Sequence, residues 1–255
     1  IAASALALAI LFISGFVASI VVSTSEDNGE TEEQTELPEI PPEDVPTSET
    51  ESGILVLGDS IGFGVGDEEN LGIGGRYLAL ISDEAENEPA LTNISVPGHE
   101  SSQLAALIES GENSAQISSA ELIIVSIGGN DLNRLESEDN LSLTLAYEEA
   151  LQTYKENLSA AIIGIRALNP DAQLAVIGLY NPYDQDGPQN ARFLLEWNYE
   201  TRLIVNSDIK TAYIPTYELF QYHLSDYLSV DAFHPNGSGY QVIAEELARI
   251  LNETP

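Results

Sequence analysis

The sequence predicts one doubly wound α/β domain over residues 53–255, with a parallel sheet covered by helices on both faces. Three observations carry that expectation. Short apolar runs recur, most of them stopping at glycine or proline, as strands buried on both faces do. Longer amphipathic stretches separate them. The alternation of the two implies βαβ crossovers. The first run, Ile54-Leu55-Val56-Leu57, ends at Gly58. A second, over 92–96, closes on Val96-Pro97-Gly98, and a third, Leu122 to Ile127, meets Gly128-Gly129. Leu174 to Leu179 and the shorter Ala212-Tyr213-Ile214, which stops at Pro215, complete the set. Helical periodicity falls at Tyr77–Glu86, Ser101–Glu109, Ala146–Leu168 and Arg192–Asn206. A last helix over Tyr240–Leu251 follows Asn236-Gly237-Ser238-Gly239, which supplies turn and capping residues. No internal repeat is present.

Two segments precede this domain. Residues 1–22, IAASALALAILFISGFVASIVV, are apolar or small and uncharged, and a helix of about 20 such residues crosses a bilayer. The run exceeds the ~7–15-residue core of a secretory signal, which points to a transmembrane anchor. A small-x-small site at Val17-Ala18-Ser19 keeps open a signal-peptide remnant. Either way the rest of the chain is expected outside the cytoplasm, membrane-anchored or secreted. Residues 23–52 hold eleven acidic residues, four prolines and no basic residue. They bury too little apolar surface to offset the entropy of ordering, so a disordered, charge-extended acidic linker is expected.

Composition narrows the function classes. The chain carries 42 acidic and 8 basic residues, a formal charge of −34. All eight basic residues lie beyond Ser52, with 31 of the acidic ones, so the folded domain is itself acidic. Such a surface repels phosphate backbones and anionic headgroups, which argues against a nucleic-acid partner. Self-repulsion also destabilises the compact state unless salt screens it, which suits a saline or alkaline medium. The absence of cysteine excludes disulfides, thiolate metal sites and a lipidated Cys.

Ligands of open α/β sheets bind at the carboxyl ends of the strands, and the unusual polar residues fall there. Ser60, in Gly58-Asp59-Ser60, sits on the turn from the first strand into a helix, where a nucleophile can face a cleft. A serine after an aspartate also reads as a plain helix cap. The glycines of Gly62-Phe63-Gly64-Val65-Gly66 resemble a dinucleotide loop, but Asp67 stands where the third glycine is required. They are expected to let backbone approach a substrate closely. Asn130, in Gly128-Gly129-Asn130-Asp131, is costly to bury unpaired, so it reads as an oxyanion donor or as a turn cap. This segment lacks the histidine of a metallophosphoesterase run, and no metal is expected. In Asp231-Ala232-Phe233-His234-Pro235 the spacing lets Asp231 hold one imidazole nitrogen of His234 while the other faces Ser60. His223, with Asp226 three residues on, is the competing base, but it stands in an amphipathic stretch.

Taken together, Gly58-Asp59-Ser60, Gly98, Gly128-x-Asn130-Asp131 and Asp231-x-x-His234-Pro235 resemble, in order, the four blocks of the SGNH (GDSL) hydrolases, in particular the GDSL lipases/acylhydrolases of Gram-positive bacteria. The likeness covers roughly residues 53–251. It implies a three-layer, flavodoxin-like fold with a five-stranded parallel sheet; the catalytic domain is expected to be monomeric. It assigns Ser60 as nucleophile, His234 as general base and then acid, and Asp231 as its orienter. The amides of Ser60 and Gly98 and the Asn130 side chain would form the oxyanion hole. The implied activity is carboxylic-ester hydrolysis without a cofactor, on a lipid or other small-molecule ester. O-deacetylation of carbohydrate or cell-wall polymers is the alternative, and a non-catalytic surface binding protein a more distant one. His99, beside Gly98, departs from the small or hydroxyl residue many members carry.

Overall fold

Three of the apolar runs, 54–57, 122–127 and 174–177, alternate between two cores, which is why they form strands buried on both faces, whereas the second strand lies exposed at the sheet edge. Leu55, Leu57, Ile123, Val125, Leu174 and Val176 enter one core. Their neighbours Ile54, Val56, Leu122, Ile124, Ala175 and Ile177 enter the other. This computed structural model describes residues 53–82, 89–135, 140–183 and 191–253. The expected apolar segment 1–22 and acidic linker 23–52 lie outside the described residues. Among those described, no helix is long and apolar enough to cross a membrane.

The chain runs β1 (Gly53–Gly58), α1 (Ser60–Phe63), α2 (Gly72–Ser82), β2 (Ala90–Asn93), α3 (Ser101–Ser110), α4 (Ser114–Ser119) and β3 (Ala120–Ser126). It continues α5 (Gly129–Asn133), α6 (Asn140–Leu168), β4 (Gln173–Ile177), α7 (Ala191–Val205) and β5 (Thr211–Ile214). The last elements are α8 (Tyr217–Phe220), α9 (Leu224–Tyr227) and α10 (Gly237–Glu253). The five strands pair in parallel in the order β2-β1-β3-β4-β5. This is the flavodoxin-like order, whose switch point lies between β1 and β3. Helices α3, α4, α6 and α7 supply Leu104, Ile117, Leu158 and Trp197 to one face. On the other, α2, α8, α9 and α10 supply Ile73, Phe220, Leu224 and Ile243.

Several boundaries differ from the sequence expectation: α6 begins at Asn140 rather than Ala146, and α10 at Gly237 rather than Tyr240. The second strand pairs over Ala90–Asn93 rather than 92–96. Its ladder nonetheless runs on, since Ile94 N donates to Val56 O at 3.0 Å and Val96 N to Gly58 O at 2.9 Å. Helix α2 begins at Gly72, five residues before the expected start. Its three glycines hide it, because each costs a helix ~1 kcal/mol against alanine. Packing requires one of them: a Cβ on Gly74 would meet Val56 Cγ2 at 2.8 Å and Leu91 Cδ1 at 2.9 Å.

Candidate active site

The parallel ladder ends at Gly58 and Ser126, and the two strand ends are then tied by side chains. Asp59 N donates to Ser126 O at 2.9 Å, and Ser126 Oγ donates to Asp59 Oδ1 at 3.0 Å. Asp59 also caps α1 by accepting from Ile61 N at 3.0 Å. Burial pushes its carboxyl up to about 6, against the lowering effect of those hydrogen bonds. Ser60 is thereby fixed as the first residue of α1, where a helix amide has no intrahelical partner.

The loop between α9 and α10 folds on itself to face Ser60. Leu228 bridges Pro235, Ser229 N donates to His234 O at 2.8 Å, and Ala232 takes φ +55°. Asp231 Oδ1 accepts from Ser229 Oγ at 2.7 Å and from the amides of Phe233 and His234 at 2.9 Å each. That leaves Oδ2 for His234 Nδ1, 2.7 Å away, while His234 Nε2 lies 3.0 Å from Ser60 Oγ. Partial burial works against the Asp231 carboxylate, but the hydrogen bonds from His234, Ser229 and the two amides outweigh it and hold the group well below the usual range. An ionised Asp231 accepts from Nδ1–H, so Nε2 is the nitrogen free to take the Ser60 proton. Tyr180 OH, donating to Phe233 O at 2.7 Å, anchors the same loop from the β4 side.

Gly98 occupies a tight turn after β2, in which His99 N donates to Val96 O at 3.1 Å. Gly98 there has φ +86°, the left-handed conformation that a type II turn with Pro at its second position demands. Asn130, in the first turn of α5, donates from Nδ2 to His99 O at 2.8 Å. The structure thus joins the Asn130 block to the Gly98 block directly. Among the described residues neither the Ser60 nor the Gly98 amide donates to a protein acceptor. His223 stands apart from Ser60, exposed, with Nδ1 3.7 Å from Asp226 Oδ2 and its ring against Tyr227.

One expectation is corrected. Gly62, Gly64 and Gly66 admit other parts of the protein rather than substrate. A Cβ on Gly62 would lie 2.6 Å from Ser95 Oγ, one on Gly64 3.0 Å from Gly72 Cα, and one on Gly66 2.5 Å from Pro235 O. Several supporting interactions were not legible in the sequence. Asp131 accepts from Ser101 N and, at 2.5 Å, from Ser101 Oγ, and Asn157 of α6 donates to that hydroxyl at 3.0 Å. Asp67 and Arg76 pair at 2.6 Å beneath the loop that follows α1. Among the described residues no group of three or more His, Asp or Glu side chains is placed to share a metal ion.

Ser60 and Asn130 open onto a cavity of about 250 Å³, which continues between α5, α6 and α7. A hydroxyl hydrogen-bonded to an imidazole that a carboxylate orients, at the switch point of a five-stranded parallel sheet, can attack a carbonyl carbon. Fold and site together define a hydrolase acting on ester bonds. The model of the GDSL-like Lipase/Acylhydrolase family matches residues 56–242, and the chain belongs to that family. The uncharacterised protein YpmR of Bacillus subtilis (strain 168) is 29% identical over 208 residues, 78% of this chain and 81% of YpmR. The spore germination lipase LipC of Bacillus licheniformis is 26% identical over 198 residues, 75% of this chain and 92% of LipC. Among solved structures, the lipase Lip_vut3 from a goat rumen metagenome shares the fold with a TM-score of 0.65 at 24% identity, covering 78% of this chain and 97% of that one. The Clostridium thermocellum family 3 carbohydrate esterase does so with a TM-score of 0.58 at 18% identity, covering 79% and 96%.

Proposed function

We propose that the chain hydrolyses carboxylic esters in two steps through an acyl-enzyme on Ser60. The observation that carries this reading is the continuous line from Asp231 through His234 to Ser60 Oγ, with contacts of 2.7 and 3.0 Å. His234 Nε2 takes the hydroxyl proton as Oγ bonds to the ester carbon. The resulting imidazolium is stabilised by Asp231. The tetrahedral oxyanion is held by the Ser60 and Gly98 amides and by the second N–H of Asn130. His234 then gives its proton to the departing alkoxide, and the C–O bond to the alcohol breaks. Water, deprotonated by the same imidazole, attacks the acyl carbon; as the bond to Oγ breaks, His234 returns that proton to Ser60 Oγ and the carboxylic acid is released.

A carbohydrate O-acetylesterase would use the same residues, so the triad alone does not separate it from a lipid-type acylhydrolase. The apolar lining of the cavity favours the latter. The uncharged residues 1–22 support a place outside the cytoplasm, on a membrane or released from it. Ser60→Ala and His234→Ala should each lower turnover of p-nitrophenyl butyrate by ~10⁴-fold or more. A fluorophosphonate should label Ser60 stoichiometrically, and His223→Ala should keep most activity. An inactive His223→Ala beside an active His234→Ala would overturn the assignment.

A further inference from the structure

The cavity beside Ser60 combines a set of polar side chains with one wall that is apolar. Its described polar lining is Asp59, Ser126 and Asn130 with Ser60 itself, and also Asn133, Asn181 and the hydroxyl-bearing Tyr180 and Tyr183. Of these, Asp59 and Ser126 already bond each other. Among the described lining residues Asp59 is the one that can carry a charge. The wall toward α6 and α7 is built from Leu132, Leu143, Leu179, Phe193 and Tyr147. Tyr147 is 2% exposed, its ring lies 4.4 Å from that of Phe193, and its hydroxyl donates to Phe193 O at 2.9 Å. The only polar atom of that wall's side chains is therefore turned to the protein, and a sugar placed there would leave its hydroxyls unpaired at a cost of ~1–3 kcal/mol each. An alkyl chain loses nothing by entering.

We propose that this cavity holds the acyl chain of the substrate, of medium length, and that Tyr147 and Phe193 close it and so set the chain length accepted. This deepens the proposed ester hydrolysis and rests on it. The size follows from volume: an apolar protein cavity of ~150 Å³ takes benzene, six carbons, so about 250 Å³ takes about ten. Esters of eight to ten acyl carbons should be preferred over acetate, and sixteen-carbon esters should be turned over poorly. Leu143 lines the passage from α6, about one helical turn before Tyr147, so enlarging it narrows the cavity without touching the triad.

The test is a series of p-nitrophenyl esters from acetate to palmitate, run on the full chain. A second series of alkyl acetates holds the acyl group constant and lengthens the alcohol. In the acyl series kcat/KM should climb about fourfold per methylene over part of the range, which corresponds to ~0.8 kcal/mol per buried CH₂. Phe193→Ala should move the optimum to longer chains, and Leu143→Trp should move it to butyrate or shorter. Stoichiometric fluorophosphonate labelling of Ser60 in each variant shows that the site has kept its form. A flat profile, or a preference for acetate, overturns the acyl-pocket inference while leaving ester hydrolysis intact. So does length dependence confined to the alkyl acetates, which would place the alcohol in the cavity. Absence of labelling and of turnover for every ester would instead overturn the underlying reading.

Discussion

Asn130 carries two amide N–H groups, and the bond to His99 O occupies one of them. The sequence offered two readings of this residue, oxyanion donor or structural cap. The geometry allows both at once: one N–H fixes the turn that presents Gly98, and the other is left for a developing oxyanion. Asn130→Ala should therefore change two observables together. Loss of one oxyanion donor lowers kcat by ~10²–10³ with little change in KM. Loss of the bond to His99 loosens the turn and lowers stability by ~1 kcal/mol. Asn130→Asp loses both bonds as well, because a carboxylate donates to neither, and adds repulsion against the oxyanion; its kcat should fall below that of the alanine variant. An alanine variant with wild-type kcat and a lowered Tm would leave Asn130 as a turn anchor alone. The bond to His99 was beyond sequence reasoning, since the acceptor is a backbone carbonyl 31 positions away and any residue at 99 would supply it. The unusual imidazole that drew notice there makes its described contacts through backbone.

The segment between α1 and α2 acts as a buttress for the loop that carries His234. Asp67 accepts from Gly72 N at 2.8 Å and from Arg76 Nη2 at 2.6 Å. Glu68 accepts from Gly237 N, at the start of α10, at 2.9 Å, and Tyr240 OH donates to Val65 O at 2.8 Å. Gly66, at φ +92°, lies so close that an added Cβ would meet Pro235 O at 2.5 Å and His234 Cβ at 3.0 Å. Two substitutions should act differently on this element. Arg76→Met leaves the fully buried Asp67 carboxylate without its partner and should cost ~3–5 kcal/mol of stability. Gly66→Ala should push the His234 loop away from Ser60, and a displacement of about 1 Å there costs ~10²-fold in kcat. Equal losses of Tm in the two variants, with kcat unchanged in Gly66→Ala, would show that the segment does not position His234. The strands and the residues at their ends were legible in sequence because burial on both faces and a Gly-bounded turn each leave a local pattern. Asp67 and Arg76 sit within one loop and helix, yet nothing in their spacing distinguishes a buried pair from a surface one. Glu68 and Gly237 are 169 positions apart, so only the assembled fold brings them together.

Across the whole molecule the charge is one-sided. Among the described residues six of the eight basic side chains, Arg76, Arg134, Lys155, Arg166, Lys210 and Arg249, pair with carboxylates, which leaves most of the described carboxylates without a basic partner. Salt has opposite effects on these two populations. Apart from the buried Arg76–Asp67 pair, these pairs are partly or largely exposed, contribute only ~0–1 kcal/mol each and weaken on screening. Repulsion summed over many like charges is relieved by the same screening. With so few cations the second effect should win, and Tm at neutral pH should rise with sodium chloride. A relief of ~1–2 kcal/mol corresponds to about 2–8 °C for a domain of this size. The shape of the curve identifies the cause. The Debye length falls from ~30 Å at 0.01 M to ~8 Å at 0.15 M and changes little in absolute terms thereafter, so screening should deliver most of the gain below about 0.2 M. A rise that begins only at molar salt would instead reflect exclusion of the salt from the protein surface. A Tm that falls as salt is added would mean that the six ion pairs outweigh the repulsion.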